Sequence, residues 1–160
     1  MEDFKVLLVD DEKDFVKSLS ERLEMRDMKS GMAFDGKEAL ESIEKEEPSV
    51  ILLDLKMPGM DGMEVLRLVK KAHPNVQVII LTGHGTDKDE EEARKLGAFD
   101  YLQKPVNMDR LTKSLKKAHK KFKNSQENID TLLMGAAMAQ AGEPDLARKM
   151  MKDRLPKEDE

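Results

Sequence analysis

Several polar side chains stand where apolar runs end, and their types suit one kind of chemistry. Val6-Leu7-Leu8-Val9 runs into Asp10-Asp11, and Val50-Ile51-Leu52-Leu53 into Asp54. Val76-Gln77-Val78-Ile79-Ile80-Leu81 runs into Thr82, and Lys104 follows a shorter run just before Pro105. Two carboxylates about 5 Å apart repel by roughly 3 kcal/mol at an effective dielectric near 20. Carboxylates brought together in threes therefore require a cation, a shared proton or an ammonium. Lys104 can supply one positive charge and a divalent metal the rest. Oxygen-only donors, in a chain without Cys, favour Mg²⁺, with Mn²⁺ as the alternative. A Mg²⁺–carboxylate site with a Lys and a Thr nearby fits phosphoryl transfer, where positioning and charge neutralisation do most of the work. Asp54 would be the nucleophile and an acyl phosphate the product. Taken singly, each residue has a plainer reading: turn former or helix cap for Asp10, Asp11 and Thr82, surface lysine for Lys104. His84 has no second His beside it and does not read as a metal ligand. Joint occurrence at successive strand ends argues for a site.

The elements that must position these groups are legible as an alternation. Phe4–Val9 reads as a strand, and Phe15, Leu19, Leu23 and Met25 as one side of a helix. Lys29–Phe34 is a weaker strand, Asp35-Gly36 a turn, and Ala39, Leu40 and Ile43 mark a helix that stops before Pro48. Ser49–Leu53 is a buried strand by its continuous aliphatic run. Gly62–His73 is a helix, Val76–Leu81 a buried strand, Thr86–Leu96 a highly charged helix stopped by Gly97, Phe99–Leu102 a short strand. Asn107 is a candidate N-cap for a helix running to Phe122. This rhythm predicts an α/β fold, a (βα)5 doubly wound parallel sheet over residues 1–122, with right-handed crossovers. In open sheets of this kind the site lies outside the carboxyl ends of the strands, where strand order reverses. That rule alone brings Asp10, Asp11, Asp54, Thr82 and Lys104 together.

Bulk composition excludes several classes. The chain has 160 residues, no Cys and a formal net charge of −5. Thiol catalysis, disulfides and Cys-based zinc sites are ruled out. The acidic balance argues against direct nucleic-acid binding. The lysine-rich stretch 113–123 reads as the solvated face of an amphipathic helix. No apolar run approaches the ~20 residues of a membrane span, and the acidic start Met1-Glu2-Asp3 does not read as a signal peptide. The expected location is the cytoplasm.

The motifs resemble those of the receiver domain of two-component response regulators. They are Val6-Leu7-Leu8-Val9-Asp10-Asp11, Asp54-Leu55-Lys56-Met57-Pro58-Gly59-Met60-Asp61-Gly62, Leu81-Thr82-Gly83-His84-Gly85 and Gly97-Ala98-Phe99-Asp100-Tyr101-Leu102-Gln103-Lys104-Pro105. The likeness covers residues 3–122, and its Thr-Gly-His-Gly segment is most similar to nitrogen-regulation-type and hybrid-kinase receivers. The resemblance implies a flavodoxin- or CheY-like fold and a phosphorelay role. Asp54 would accept a phosphoryl group from a histidine kinase or phosphotransfer protein. Asp10, Asp11, Asp54 and the backbone carbonyl of Lys56 would hold Mg²⁺, and Thr82 and Lys104 would contact the phosphoryl oxygens. Tyr101 matches the switch aromatic, whose ring turns inward when Thr82 moves toward the phosphate. Lys56 and His84 occupy positions that tune phosphate lifetime. The Lys104-Pro105 bond is typically cis in this family. The output face would comprise Thr86–Leu96, Phe99–Leu102 and Asn107–Phe122, acting by protein–protein contact and leaving a phosphorylation-dependent homodimer open.

The tail, residues 123–160, reads as a helical extension. Lys123–Gln126 is a polar linker or a helix continuation, and Ile129, Leu132, Leu133, Ala136, Ala137 and Gln140 keep helical spacing. Gly142-Glu143-Pro144 breaks it, and Leu146, Ala147, Met150, Met151 and Leu155 stripe a second helix, making an αα-hairpin before a charged, disordered end. A single hairpin cannot bury its own face and must dock elsewhere. The tail lacks the marks of a DNA-binding or catalytic output domain, so the chain reads as a stand-alone phospho-switch and not as a turnover enzyme. The alternative is a receiver piece of a larger transcriptional regulator or hybrid kinase, against which the acidic terminus argues mildly. A haloacid dehalogenase-type phosphatase would want a second Asp where Lys56 stands.

Overall fold

The computed structural model describes residues 4–140, with side chains to residue 128. Strands β1 (Lys5–Val9), β2 (Lys29–Ala33), β3 (Val50–Leu53), β4 (Gln77–Thr82) and β5 (Asp100–Gln103) alternate with helices α1 (Lys13–Glu24), α2 (Gly36–Lys45), α3 (Gly62–Ala72), α4 (Asp87–Lys95) and α5 (Met108–Gln140). The sheet order is β2-β1-β3-β4-β5, and every pairing is parallel. This is the doubly wound fold expected from the alternation.

Strand parity divides the core into two layers. In β3 all four side chains are buried. Ile51 and Leu53 face the layer holding Ala39, Ile43, Val65, Leu66 and Val69 of α2 and α3. Val50 and Leu52 face the opposite layer, with Val16, Leu19 and Leu23 of α1 and Leu111, Leu115 and Ala118 of α5. A period of two sends alternate residues to opposite faces. A strand covered on both faces must be apolar at every position. Burying each such aliphatic side chain stabilises the fold by about 1.5–3 kcal/mol.

The helix ends are set locally. Asp35-Gly36 is not a free turn: Asp35 caps α2, its Oδ1 accepting the Glu38 N–H at 2.8 Å, and Gly36 is the first helical residue. Thr86 and Asp89 form a reciprocal capping box at α4. Beyond α4, Gly97 takes φ +104, and the Ala98 N–H returns to the Ala93 carbonyl at 3.0 Å. Asn107 caps α5 by accepting from the N–H groups of Asp109 and Arg110 at 2.7 and 3.1 Å. Met25 departs from its expected place on the apolar side of α1. The helix ends at Glu24, so helical spacing no longer aims the next side chain, and Met25 is 83% exposed.

The five-stranded unit ends at Phe122, inside α5. Residues 123–126 contain neither Gly nor Pro, so nothing there breaks the helix. Of the second unit, residues 123–140 are helical throughout. The expected second helix of the hairpin and the charged terminus lie outside the described residues. No helix among the described residues is long and apolar enough to cross a membrane.

Candidate functional site

Strand order reverses around β1, whose neighbours are β2 and β3. The first residues past the strands remain tied to the ladder. The Asp10 N–H donates to the Ala33 carbonyl at 3.2 Å, and the Asp54 N–H to the Val9 carbonyl at 2.9 Å. Two backbone bonds thus fix both carboxylates at the crevice. One carboxylate oxygen each from Asp10, Asp11 and Asp54 lie within 4.8 Å of one another. Asp10 and Asp54 are 4% and 5% exposed, while Asp11 faces solvent. Among the described residues, the Asp54 Oδ1 accepts only a long contact, 3.4 Å, from the Lys56 N–H.

Lys104 reaches this cluster from the far side of β4. Its N–H donates to the Thr82 carbonyl at 2.9 Å, which orders the chain after β5, and its peptide bond to Pro105 is cis. The ammonium donates to Asp10 Oδ2 at 2.6 Å and to Glu12 Oε1 at 2.9 Å. It also lies 4.3 Å from the centre of the Phe15 ring. Burial pushes the Asp10 carboxyl above its ordinary value, with the Asp54 charge adding to the push and the bonds from Lys104 and the Glu12 N–H opposing it. Burial also draws the Lys104 ammonium down, but its bonds to Asp10 and Glu12 and the Asp10 and Asp54 charges outweigh this and raise it. The bond from Lys104 holds Glu12 below the usual carboxylate value. Mutual attraction thus favours both charged forms, and burial overrides it only at Asp10. One ammonium facing Asp10, Asp11, Glu12 and Asp54 leaves excess negative charge with oxygen-only donors, an arrangement that fits a hard divalent cation.

Thr82 is fully buried at the end of β4, and its Oγ1 accepts the His84 N–H at 3.4 Å. Tyr101 is 5% exposed, in the layer with Val78 and Ile80. Its hydroxyl is buried and finds no hydrogen-bond partner among the described residues. Burial raises the phenol pKa, helped by Asp89, Glu90 and Asp87 of α4. Lys56 and His84 are exposed on the loops flanking the site. The Lys56 ammonium stands 4.0 Å from Asp89 of α4, and His84 lies near enough to Glu12 to add slightly to the lowering of that carboxyl.

The chain belongs to the response regulator receiver family. The response regulator receiver domain profile matches residues 6–116. The chain is 36% identical to sporulation initiation phosphotransferase F of Bacillus subtilis, over 71% of its own length and 91% of that protein. It is 31% identical to the C4-dicarboxylate transport transcriptional regulatory protein DctD of Rhizobium meliloti, over 94% of its own length and only 32% of the relative. Among solved structures, the receiver domain of NtrX from Brucella abortus superposes with a TM-score of 0.68 at 32% identity, over 72% of this chain and 98% of that one. The chain is thus a receiver domain of the two-component type, akin to nitrogen-regulation receivers. It spans less than a third of the length of DctD.

Sequence reasoning did not single out the partners that seat Lys104. Glu12 extends the acidic pair Asp10-Asp11 to a triple, which was the available signal. Phe15 was read only as a core residue. Gly62 was read as the start of a helix, but a Cβ there would overlap the Asp54 carbonyl and stand 2.6 Å from Leu55 Cα. Its missing side chain lets α3 begin directly against the strand end that carries Asp54.

Proposed function

We propose that this receiver takes a phosphoryl group on Asp54 from the phosphohistidine of a histidine kinase or phosphotransfer protein. An Asp54 carboxylate oxygen attacks phosphorus, the N–P bond breaks, and the imidazole leaves with its electron pair and takes up a proton. The observation that carries this reading is a buried Asp54 with a nearly free Oδ1, grouped with two further carboxylates and a lysine ammonium at the sheet's reversal point. Asp10, Asp11, Asp54 and the Lys56 carbonyl would hold Mg²⁺, which supplies charge neutralisation at the phosphoryl oxygens. Lys104, held by Asp10 and Glu12, would turn its ammonium to one phosphoryl oxygen. The Thr82 hydroxyl would donate to another, giving up its contact with the His84 N–H. The added charge, close to −2 at neutral pH, favours the state in which both engage it. Tyr101 follows Thr82, and α4, β5 and the first part of α5 carry the change to a protein partner or a second copy of the chain. The molecule works in the cytoplasm as a switch, handling only its own phosphate, without direct contact with nucleic acid.

The test is incubation with a small phosphodonor such as acetyl phosphate and Mg²⁺, read by intact mass. One phosphoryl group should appear on the native chain and none on Asp54→Asn. Equal labelling of both would overturn the assignment. Lys56→Ala should change the lifetime of the phosphorylated form, because the long cation no longer screens attacking water; an unchanged decay would remove Lys56 from that role. Light scattering with Mg²⁺ and beryllofluoride separates the two output modes, since self-association raises the mass and a separate partner leaves it unchanged. A second reading, a receiver belonging to a larger transcriptional regulator, is favoured by the match to 32% of the length of DctD.

A further inference from the structure

The turn between β4 and α4 touches both switch residues at one point, Gly85. A Cβ placed on Gly85 would overlap the Tyr101 hydroxyl oxygen outright. It would also stand 2.9 Å from Tyr101 Cζ and 2.8 Å from Thr82 Cγ2. Such separations are too short for non-bonded carbons, whose attraction is best near 3.5–4.0 Å. Gly85 has no positive φ among the described backbone angles, so its glycine is required by space and not by backbone strain. The worst overlap is with the far end of the Tyr101 side chain, which can swing out by rotation about χ1, whereas the Thr82 Cγ2 contact needs a small shift of the turn itself, so the clash has an exit other than unfolding.

The inward ring also carries opposed energetic terms. It buries an aromatic face against the layer of Val78 and Ile80, yet its hydroxyl finds no hydrogen-bond partner among the described residues. An outward ring would hydrate the hydroxyl and expose the face. Opposed terms of this kind make a two-state element whose populations respond to small steric changes. Relying on the switch reading above, we infer that Gly85 is a positioning residue whose missing side chain admits the Tyr101 ring beside Thr82. The bulk at position 85 therefore sets how much of the receiver holds the ring inward.

The chain contains one Tyr and no Trp, so its ultraviolet-excited fluorescence reports Tyr101 alone. The experiment is acrylamide quenching of that fluorescence in the native chain and in Gly85→Ala, with fold checked by circular dichroism. Beryllofluoride binding in Mg²⁺ is measured on the same samples. The native ring should be poorly quenched. Gly85→Ala should raise the quenching constant several-fold and weaken beryllofluoride binding. Tyr101→Phe in the Gly85→Ala background should recover part of that binding, because it removes the atom that overlaps. In the native background the same change should matter less, a non-additivity that a general loss of stability would not produce. Unchanged quenching in a folded Gly85→Ala protein overturns the inference. If Gly85→Ala does not fold, Gly85→Ala with Tyr101→Leu decides: recovery of the fold supports a slot shared by the two positions, and continued unfolding overturns it. Failure of the switch reading looks different, since the native chain would then bind no beryllofluoride in the presence of Mg²⁺.

Discussion

The frame around Asp54 and the edge that must respond to it are built on opposite principles. At the frame, β3 is flanked by β1 and β4 and buries all four of its side chains, and Asp54 is pinned by a backbone bond to Val9. At the edge, α4 buries only Ala93 and is held by its Thr86–Asp89 capping box and by charges ordered along its axis. Asp87, Asp89 and Glu90 sit in its first turn and Arg94 and Lys95 in its last, which suits the helix dipole. Few buried apolar contacts mean a low free energy of local opening. A phosphoryl site needs fixed geometry, whereas a responding surface needs a small gap between two arrangements. On the proposed function the sheet would carry the chemistry, and a polar helix beside Tyr101, whose hydroxyl has no partner among the described residues, is suited to carry the response.

The largest expected effect lies in the frame. Leu53→Ala should cost about 2–5 kcal/mol, as truncations at packed core sites do, and should be measurable as a shift of the urea midpoint with little change in slope. A cost no greater than that of Ala93→Gly, expected near 1 kcal/mol from helix propensity, would erase the contrast between β3 and α4. Gly62→Ala should follow, at about 1–3 kcal/mol, because overpacking against backbone leaves little room to relax. Its Cβ presses on the residues that carry Asp54, so it should weaken beryllofluoride binding as well as stability. A variant that loses stability and keeps native binding would separate α3 packing from the site.

The edge should answer differently. Thr86→Ala removes the side chain that accepts the Asp89 N–H at 3.1 Å. It should cost about 1 kcal/mol, concentrated in α4. Amide exchange should speed up across residues 87–95 while β3 amides stay protected. Uniform acceleration would mean that α4 opens only with the whole domain, and the contrast between frame and edge would fail.

Legibility in the sequence follows the same division. β3 was readable because burial on both faces demands an unbroken aliphatic run, a signal carried by adjacent residues. Asp10, Asp54 and Thr82 were readable because each ends such a run and the topology rule gathers strand ends. Met25 and Asp35 were misplaced because a helix end is decided by which backbone groups find caps, and that decision changes the meaning of the next residue's spacing. Glu12 and Gly85 were harder still. Glu12 matters through Lys104, 92 positions away, and Gly85 matters through the space that Tyr101 fills. Neither pairing leaves a periodic trace.

The smallest expected effect tests whether the frame carries electrostatic ties of its own. His73, the C-cap of α3, bonds through Nε2 to Glu44 in the last turn of α2 at 3.0 Å and through Nδ1 to Glu47, just beyond that helix, at 2.8 Å. The Glu44 bond, opposed by some burial and reinforced by Glu47, raises the imidazole above its ordinary value of 6.5. A group whose pKa is higher in the folded state stabilises the fold fully below its unfolded pKa, and that contribution disappears as pH rises through the folded value. The tie between α2 and α3 should therefore be strongest well below pH 6.5 and weaken as pH rises above it. Glu44 is 71% exposed at its side chain and Glu47 39%, so solvent screening keeps the contribution below about 1 kcal/mol, or no more than about 4 °C in Tm. His73→Gln keeps a polar side chain and removes the titration. Its Tm should change less than that of the native chain as pH rises through and above 6.5. Parallel curves would show that His73 contributes no proton-linked stability and that apolar packing alone holds α2 against α3.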